Sequence, residues 1–167
     1  MAEKHASRLL ALMVAGGTFA PLTASAQELP TAPYLPLGLA QKAADTAMTK
    51  CIADGYRVSV AIVDRSGSTK VLIKGDGAGP HTVGSSTGKA FTSASMGRST
   101  ADLAALIKDK PELAGLRDMD PRLVILGGGL PIKIDQTLVG GIGVGGAPGG
   151  HLDQACSRAG LDAIGAE

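Results

Sequence analysis

The alternating glycines near the C-terminal end of the chain constrain its fold most strongly. Ile142 and Val144 alternate with Gly141, Gly143 and Gly145. A strand over these residues has one bulky face and one face with almost no side chains. A bare strand face is typical of a close approach by backbone, by a helix or by a ligand. The sequence therefore predicts a sheet built around this strand, with another element packed directly on its glycines.

The segments before the glycine strand predict its pairing partner. Residues 130–134 and 137–144 are apolar or β-branched, and Asp135-Gln136 joins them as a short polar link. Two such runs with a short link are typical of an antiparallel hairpin. Residues 122–126 form a further apolar run that is interpreted as extended strand, and Gly127, Gly128 and Gly129 interrupt it.

Helical and strand patterns alternate through the rest of the chain. Residues 58–63 and 69–74 predict two strands joined by a turn, while residues 38–53, 83–97 and 151–159 favour helices. Ser99 followed by Asp102 resembles a capping box at the start of another helix. This order predicts an α+β domain with about five antiparallel strands and helices covering the faces of the sheet.

The N-terminal residues have the pattern of a secretory signal peptide. Lys4 and Arg8 precede an apolar run over residues 9–20, and Ala24-Ser25-Ala26 has the small residues of a cleavage site. We therefore expect residues 1–26 to be a signal peptide, residues 27–37 to be an extended proline-rich arm, and residues 38–167 to be the domain. The expected location is the periplasm or the exterior. No other segment is long and apolar enough to cross a membrane.

Charge and aromatic content argue against nucleic-acid binding. The formal net charge is +1, the Lys and Arg residues are scattered, and the chain has no Trp, two Tyr and two Phe. A nucleic-acid binder usually has a basic patch or aromatic platforms for base stacking. We expect no nucleic-acid partner.

The two cysteines leave two interpretations open. Cys51 and Cys156 are far apart in sequence and have no zinc-site spacing. In an oxidising compartment they can form a disulfide that closes a long loop, worth about 4–5 kcal/mol on the chain-entropy model. Alternatively, both are small buried apolar side chains.

Two side chains and the glycine run are the candidate ligand-binding residues. His81 follows Gly79-Pro80 where a helix is expected to begin, and its imidazole can ligate iron. Lys89 is the one charged side chain between residues 82 and 97, and it can meet an anionic ligand near the bare sheet face. The run at 127–129 is no phosphate loop, because no Lys-Ser/Thr follows it and a strand, not a helix, is expected next.

Alternatives remain for each histidine. His81 and His151 can instead be polar residues at helix starts, without a ligand role. A closed metal site lacks third and fourth ligands, whereas haem needs only one or two axial ligands. His81, with Met96 or His151 as a distant second ligand, therefore remains an option. We find no hydrolase motif and predict no catalytic residues.

Five segments together resemble the GlcG/HbpS-like haem-binding domain family, which also occurs as the C-terminal domain of PduO-type corrinoid adenosyltransferases. They are VSVAIVDRSG, KGDGAGPHTVGSSTGKAFTSAS, LVILGGGLPIKID, VGGIGVGGAPGG and LDQACSRAGLDA, and they span residues 38–164 in the expected order. The resemblance implies a profilin-like α/β/α sandwich around a five-stranded antiparallel sheet. It also implies assembly into homo-oligomers.

The resemblance leads to one main functional hypothesis and two alternatives. The main hypothesis is an exported haem-binding protein, with a role in haem or iron sensing or in haem scavenging. In it, His81, Lys89, Gly127, Gly128 and Gly129 line the pocket, and His81 is the iron ligand. The first alternative is an accessory protein that binds a small organic acid such as glycolate through Lys89 and the glycine amides. The second is a haem-degrading enzyme.

Overall fold

The computed structural model describes residues 27–167, so the predicted signal peptide at residues 1–26 lies outside the described residues. Residues 27–31 belong to a separate unit and form no helix or strand. The second unit, Ala32–Glu167, contains every helix and strand described below. None of the helices within residues 27–167 is long and apolar enough to cross a bilayer.

The second unit contains helices at both ends and in the middle of the chain, as the sequence predicts. The helices are α1 (Leu37–Ala53), α2 (His81–Met96), α3 (Thr100–Asp109) and α4 (Gly150–Asp162), with a 3-10 helix at Pro111–Asp118. The strands are β1 (Ser59–Asp64), β2 (Thr69–Lys74), β3 (Gly129–Ile134) and β4 (Thr137–Gly145). Helix α1 begins at Leu37, the last residue of the predicted arm.

The sheet is antiparallel throughout and has the strand order β2-β1-β4-β3. Ile142 of β4 pairs with Ile62 of β1 on one side and with Leu130 of β3 on the other. The predicted hairpin is confirmed, and its link residues Asp135 and Gln136 have φ of 48° and 63°. Positive φ at both link residues is typical of the tight turns whose twist matches that of paired strands.

The prediction of five strands is wrong, because the described sheet has four. Residues 122–126, interpreted as extended strand, form no strand in the structure. They cross the outer face of α2, where the backbone N–H of Val124 donates to Oγ1 of Thr92 at 2.8 Å. The side chain of Val124 fills the space left by Gly88, where a Cβ atom would lie 2.3 Å from its Cγ2. This apolar segment packs against a helix instead of joining the sheet.

Helices cover both faces of the sheet and give three layers. Val60 and Ile62 join one buried cluster with the alanines of α1 and with Cys156 and Leu161 of α4. Their neighbours in β1, Ala61 and Val63, form a second cluster with Ala90 and Ala94 of α2. Because successive strand residues point to opposite faces, α1 and α4 lie on one face and α2 lies on the other. The predicted α/β/α layering is confirmed.

The bare face of β4 packs directly on the backbone of α2. A Cβ atom on Gly143 would lie 2.1 Å from the carbonyl oxygen of Ser86, and one on Gly141 would lie 2.3 Å from that of Ala90. No side chain fits between the strand and the helix at these positions. The predicted close approach is therefore made by a helix, and this contact fixes the position of α2.

Candidate functional site

An open groove of about 340 Å³ runs along the outer side of α2. One wall contains Gly67 and Thr69 from the β1–β2 hairpin, and the other contains Pro121, Arg122 and Val124. Its floor is Gly84, Thr87, Gly88 and Phe91 of α2. We call this cavity the α2 groove.

His81 lies at the first position of α2 and is exposed. It precedes Gly84 by three residues and Gly88 by seven, so these three residues lie on one face of the helix. A Cβ atom on Gly84 would meet nothing within 4 Å. The Cα atom of His81 and the open part of the α2 groove at Gly84 are therefore on the same side of α2.

The histidine ring folds back over the loop that precedes the helix. A Cβ atom on Gly79 would lie 2.7 Å from Cε1 of His81, so a side chain at residue 79 would displace the imidazole. The start of α4 repeats this arrangement, since a Cβ atom on Gly149 would lie 2.8 Å from Cε1 of His151. His81 is thus the first residue of its helix and His151 is the second, and each stands two residues after a glycine.

Lys89 is buried and ion-paired. Its Nζ donates to Oδ2 of Asp153 at 2.7 Å and to the carbonyl of Val144 at 2.9 Å. The other carboxylate oxygen of Asp153 accepts from the backbone N–H of Ala147 at 2.9 Å. A ligand would reach this ammonium only after the pair opened. The ligand role of Lys89 stays a prediction that this geometry does not favour.

The glycine run at 127–129 lies next to this ion pair and is already hydrogen bonded. Gly129 donates its N–H to Oγ1 of Thr100 at 2.8 Å, and the carbonyl of Gly128 accepts from Oγ of Ser157 at 2.7 Å. Gly128 has a φ of +120°, and a Cβ atom there would lie 2.7 Å from Cβ of Asp153. The run connects α2, α3 and α4 by close packing. A ligand role for these glycines also stays a prediction.

The structure separates the two suggested partners of His81. Met96 is the last residue of α2, so a rise of 1.5 Å per residue places it about 22 Å along the helix from His81. His151 lies on α4, beyond the other face of the sheet. Neither residue shares an iron site with His81 inside one chain. Residues 27–167 also contain no cluster of three or more His, Cys, Asp or Glu that could hold a metal ion.

Cys51 and Cys156 form a disulfide between α1 and α4, with their Cα atoms 5.6 Å apart. Both residues are fully buried in the cluster under the sheet. Of the two interpretations left open by the sequence, the structure has the disulfide.

A cation–π contact forms one end of the α2 groove. The Cζ atom of Arg122 lies 4.0 Å from the centre of the Phe91 ring. Asp120 accepts from Nε and Nη2 of the same guanidinium, at 2.9 and 2.6 Å. Hydrogen bonds from Arg122 lower the pKa of Asp120 to about 2. The pair fixes the orientation of Arg122 over the ring.

Sequence reasoning missed two residues that organise this region. In the sequence, Asp153 has the position of an acidic residue in the first turn of α4. The residues around it do not indicate that it contacts a lysine 64 positions away. Thr92 accepts from Val124 and donates to the carbonyl of Gly88 at 2.7 Å. The small-residue content of α2 indicates close packing, but it does not indicate which segment crosses the helix.

These observations define a class of protein: a single α/β/α sandwich whose outer helix begins at an exposed histidine and carries an open groove. A family model described as "Haem degrading protein HbpS-like" matches residues 35–162. The chain belongs to this HbpS-like family.

Solved structures agree with this assignment. HbpS of Streptomyces reticuli, in a variant with two Glu→Asp substitutions, is 42% identical with a TM-score of 0.77, over 87% of this chain and 97% of that one. A haem complex of PduOC is 24% identical with a TM-score of 0.75, over 81% of this chain and 98% of that one. At that identity the PduOC structure supports the fold alone.

A protein of Citrobacter freundii is also similar. It is an uncharacterised 15.0 kDa protein from the dhaT-dhaS intergenic region, 29% identical over 111 residues. The similarity spans 66% of this chain and 78% of that protein.

Proposed function

We propose that this chain is an exported haem-binding protein that holds haem at the α2 groove, with His81 as an axial ligand. The observation that carries the proposal is the position of His81. His81 is exposed and begins α2 three residues before Gly84, where a Cβ atom would meet nothing within 4 Å. Histidine is a common axial ligand of haem iron.

The residues of the groove fit an apolar, flat ligand. Phe91, Pro121 and Val124 supply apolar surface, and Gly84 leaves open space beside α2, since a Cβ atom there would meet nothing within 4 Å. When bound, haem would supply the redox chemistry, while the chain supplies an axial ligand and an apolar surface. The volume of about 340 Å³ is at the lower end for ligand pockets. An open groove of this size also agrees with a second copy of the chain covering the ligand, as in the predicted homo-oligomer.

The family comparison supports haem as the ligand. The family description names haem, and the chain matches that family over residues 35–162. PduOC, which shares the fold, has been crystallised as a haem complex. Among the described residues, the α2 groove combines apolar side chains with a helix that begins at the exposed His81.

The test is a hemin titration followed by absorption spectroscopy. We expect a saturable Soret shift for the unmodified protein and a weaker or displaced band for His81→Ala. His151→Ala is the matched control, because His151 has the same local geometry on another helix and is expected to leave the band unchanged. A shift no larger than that of an unrelated protein would refute haem binding. Equal bands for all three proteins would remove His81 as the ligand.

Haem degradation is the second candidate, because the family description contains the words "haem degrading". The protein–haem complex is mixed with ascorbate in air, with catalase present to remove free peroxide. Loss of the Soret band at a rate above that of free hemin would establish degradation. A stable band would establish binding without turnover, which is the result expected if the chain has no catalytic residues of its own.

The proposal also includes export, homo-oligomer formation and a role in haem or iron sensing or in scavenging. The n-region, apolar run and cleavage pattern within residues 1–26 support export. Cell fractionation with mass determination of the N-terminus tests it, and a cytoplasmic protein that retains residue 1 would contradict it. Light scattering with and without hemin measures the oligomeric state. Transfer of haem to or from a second haem protein distinguishes scavenging from simple binding.

A further inference from the structure

The proline-rich arm before α1 has the sequence pattern of a recognition segment. Pro30, Pro33 and Pro36 follow one another at intervals of three residues. Pro36 has φ −62° and ψ 142°, which are the backbone angles of polyproline II. Extended segments with this P-x-x-P spacing are typical ligands of apolar, aromatic-lined grooves. The haem proposal gives this arm no role.

Two neighbouring residues of the arm differ sharply in exposure. Leu35 is fully buried in the cluster under the sheet, so it holds the arm to the domain at the start of α1. Tyr34 is 78% exposed. Tyrosine buries a large area at a low cost in conformational entropy, and it is a common anchor of protein interfaces. An exposed tyrosine on a segment that is already extended is therefore suited to docking.

A cavity of about 320 Å³ lies at the far end of α1 and has the composition of a docking site for such a side chain. Its apolar lining and its polar groups come from Met48, Ile52, Tyr56 and Val58, and from Arg57 and Asp76. An apolar centre with polar groups around it is typical of a protein interface. We call this cavity the α1 pocket.

The side chains of the α1 pocket match a phenol ring. Methionine sulfur makes favourable contacts with aromatic rings, and Met48 is available for this contact. The carboxylate of Asp76 can accept a hydrogen bond from a tyrosine hydroxyl. Ile52 is 60% exposed, so a docked ring would also cover apolar surface that the chain leaves open.

Tyr34 does not reach the α1 pocket of its own chain. Ile52 lies fifteen residues after Leu37, which is about 22 Å along α1. Tyr34 lies three residues before Leu37, and three extended residues span about 9 Å. Because the buried Leu35 holds the arm at the start of the helix, Tyr34 stays far from this cavity. A second copy brings its own Tyr34 to the cavity without this constraint.

We infer that the arm of one copy of this chain docks in the α1 pocket of a second copy, with Tyr34 as the anchor. Each copy has both the arm and the pocket, so a two-fold axis forms the contact twice. This inference rests on the homo-oligomer part of the proposed function and names the surface that forms it. The α1 pocket shares no residue with the α2 groove.

Light scattering over a range of protein concentrations tests the contact through the dissociation constant between copies. We expect Tyr34→Ser to raise this constant about tenfold or more, as for the loss of an aromatic interface anchor. The circular dichroism spectrum should not change, because Tyr34 is exposed. Ile52→Glu should have the same effect from the side of the pocket.

Leu126→Glu is the matched control for Ile52→Glu. The two side chains are 57% and 60% exposed, the change in charge is the same, and Leu126 lies outside the α1 pocket. The control should leave the dissociation constant unchanged. Equal effects of the two variants would overturn the α1 pocket as the docking site.

Cross-linking tests the pairing of arm and pocket directly. We expect a short bis-maleimide to give covalent dimers of the Tyr34→Cys/Asp76→Cys protein. Tyr34→Cys/Asp118→Cys is the control, because Asp118 is exposed and lies outside the α1 pocket. A link within one chain would overturn the exchange of arms, and equal dimer yields for the two proteins would overturn the pairing.

The outcomes separate this inference from the proposed function. A homo-oligomer that responds neither to Tyr34→Ser nor to Ile52→Glu would overturn the arm contact and leave homo-oligomer formation standing. A monomeric unmodified protein would overturn both. Haem binding has its own readout in the Soret shift, because neither Tyr34 nor Ile52 lines the α2 groove.

Discussion

The Nζ atom of Lys89 lies 2.7 Å from Oδ2 of Asp153, and the two side chains are only 1% and 4% exposed. The pair joins α2 on one face of the sheet to α4 on the other. It passes beside Gly128, where any side chain would collide with it. A lysine that stands out in sequence as a candidate ligand contact is thus a link between the two outer layers.

Removing one partner of this pair should destabilise the protein strongly. We expect Lys89→Met or Asp153→Leu to lower the free energy of unfolding by about 3–5 kcal/mol, because each leaves an uncompensated buried charge. The double variant should lose less than the sum of the two single losses, since it leaves no buried charge. Urea denaturation monitored by circular dichroism measures all three. Additive losses would show that the two side chains are not coupled.

The contact between β4 and α2 should not tolerate a methyl group. Gly143→Ala would place a Cβ atom 2.1 Å from the carbonyl oxygen of Ser86, so α2 must move away from the sheet. Overpacking of this kind costs about 1–3 kcal/mol or more. Gly38→Ala in α1 is the control, because a Cβ atom there meets nothing within 4 Å. Thermal denaturation of both variants makes the comparison, and equal melting temperatures would contradict the described packing.

The disulfide should contribute measurably to stability. Cys51 and Cys156 are separated by 105 residues, and removal of a native disulfide typically costs about 2–5 kcal/mol. We expect the Cys51→Ala/Cys156→Ala variant to unfold at lower denaturant concentration. A reductant should shift the transition of the unmodified protein toward that of the variant and leave the variant unchanged. If the protein is unfolded without reductant and a thiol titration then detects two free thiols, the disulfide is not formed.

Asp120, which pairs with Arg122 beside the α2 groove, should titrate far below the usual range of a carboxyl group. The pKa of Asp120 is lowered to about 2 from its ordinary 3.8, first by the side-chain hydrogen bonds from Arg122. Because the pKa is lower in the folded state, the stabilising contribution is fully present above pH 3.8 and is lost as the pH falls through about 2. Carboxyl NMR titration should give a midpoint near 2, moving toward 3.8 in Arg122→Gln.

Asp64 is the internal control for that titration. Its pKa is also lowered, but chiefly by the hydroxyl of Ser66. Its midpoint should therefore be the same in Arg122→Gln as in the unmodified protein. If the midpoints of both carboxyl groups changed together in Arg122→Gln, the cause would be a general loss of structure and not the loss of one local ion pair.

The position of the His81 ring should matter for haem as much as its presence does. Gly79→Ala would place a Cβ atom 2.7 Å from Cε1 of His81, so the imidazole must turn away. If His81 is the axial ligand, this variant should weaken or displace the Soret band in a hemin titration. Gly149→Ala makes the same change next to His151 and should leave the spectrum unchanged. Identical spectra for both variants would argue against His81.

The sequence alone predicted the features that depend only on residues close to one another in the chain. The glycines at 141, 143 and 145 indicate a strand with a bare face, because alternation is built into strand geometry. Ser99 indicates the start of α3, and its Oγ accepts from the N–H of Asp102 at 3.0 Å. The five quoted segments also identified the family, which the family model then confirmed.

Only the tertiary structure decided which distant groups meet. Residues 122–126 have the composition of a strand. In the structure, however, the N–H of Val124 donates to Oγ1 of Thr92, and the segment packs on helix α2. Lys89 looks like an isolated charge until Asp153 is brought beside it, 64 residues further along. Local patterns fix backbone conformation over a few residues. The pairing of buried charges, the strand count and the cavities depend on distances that are set only when the layers pack together.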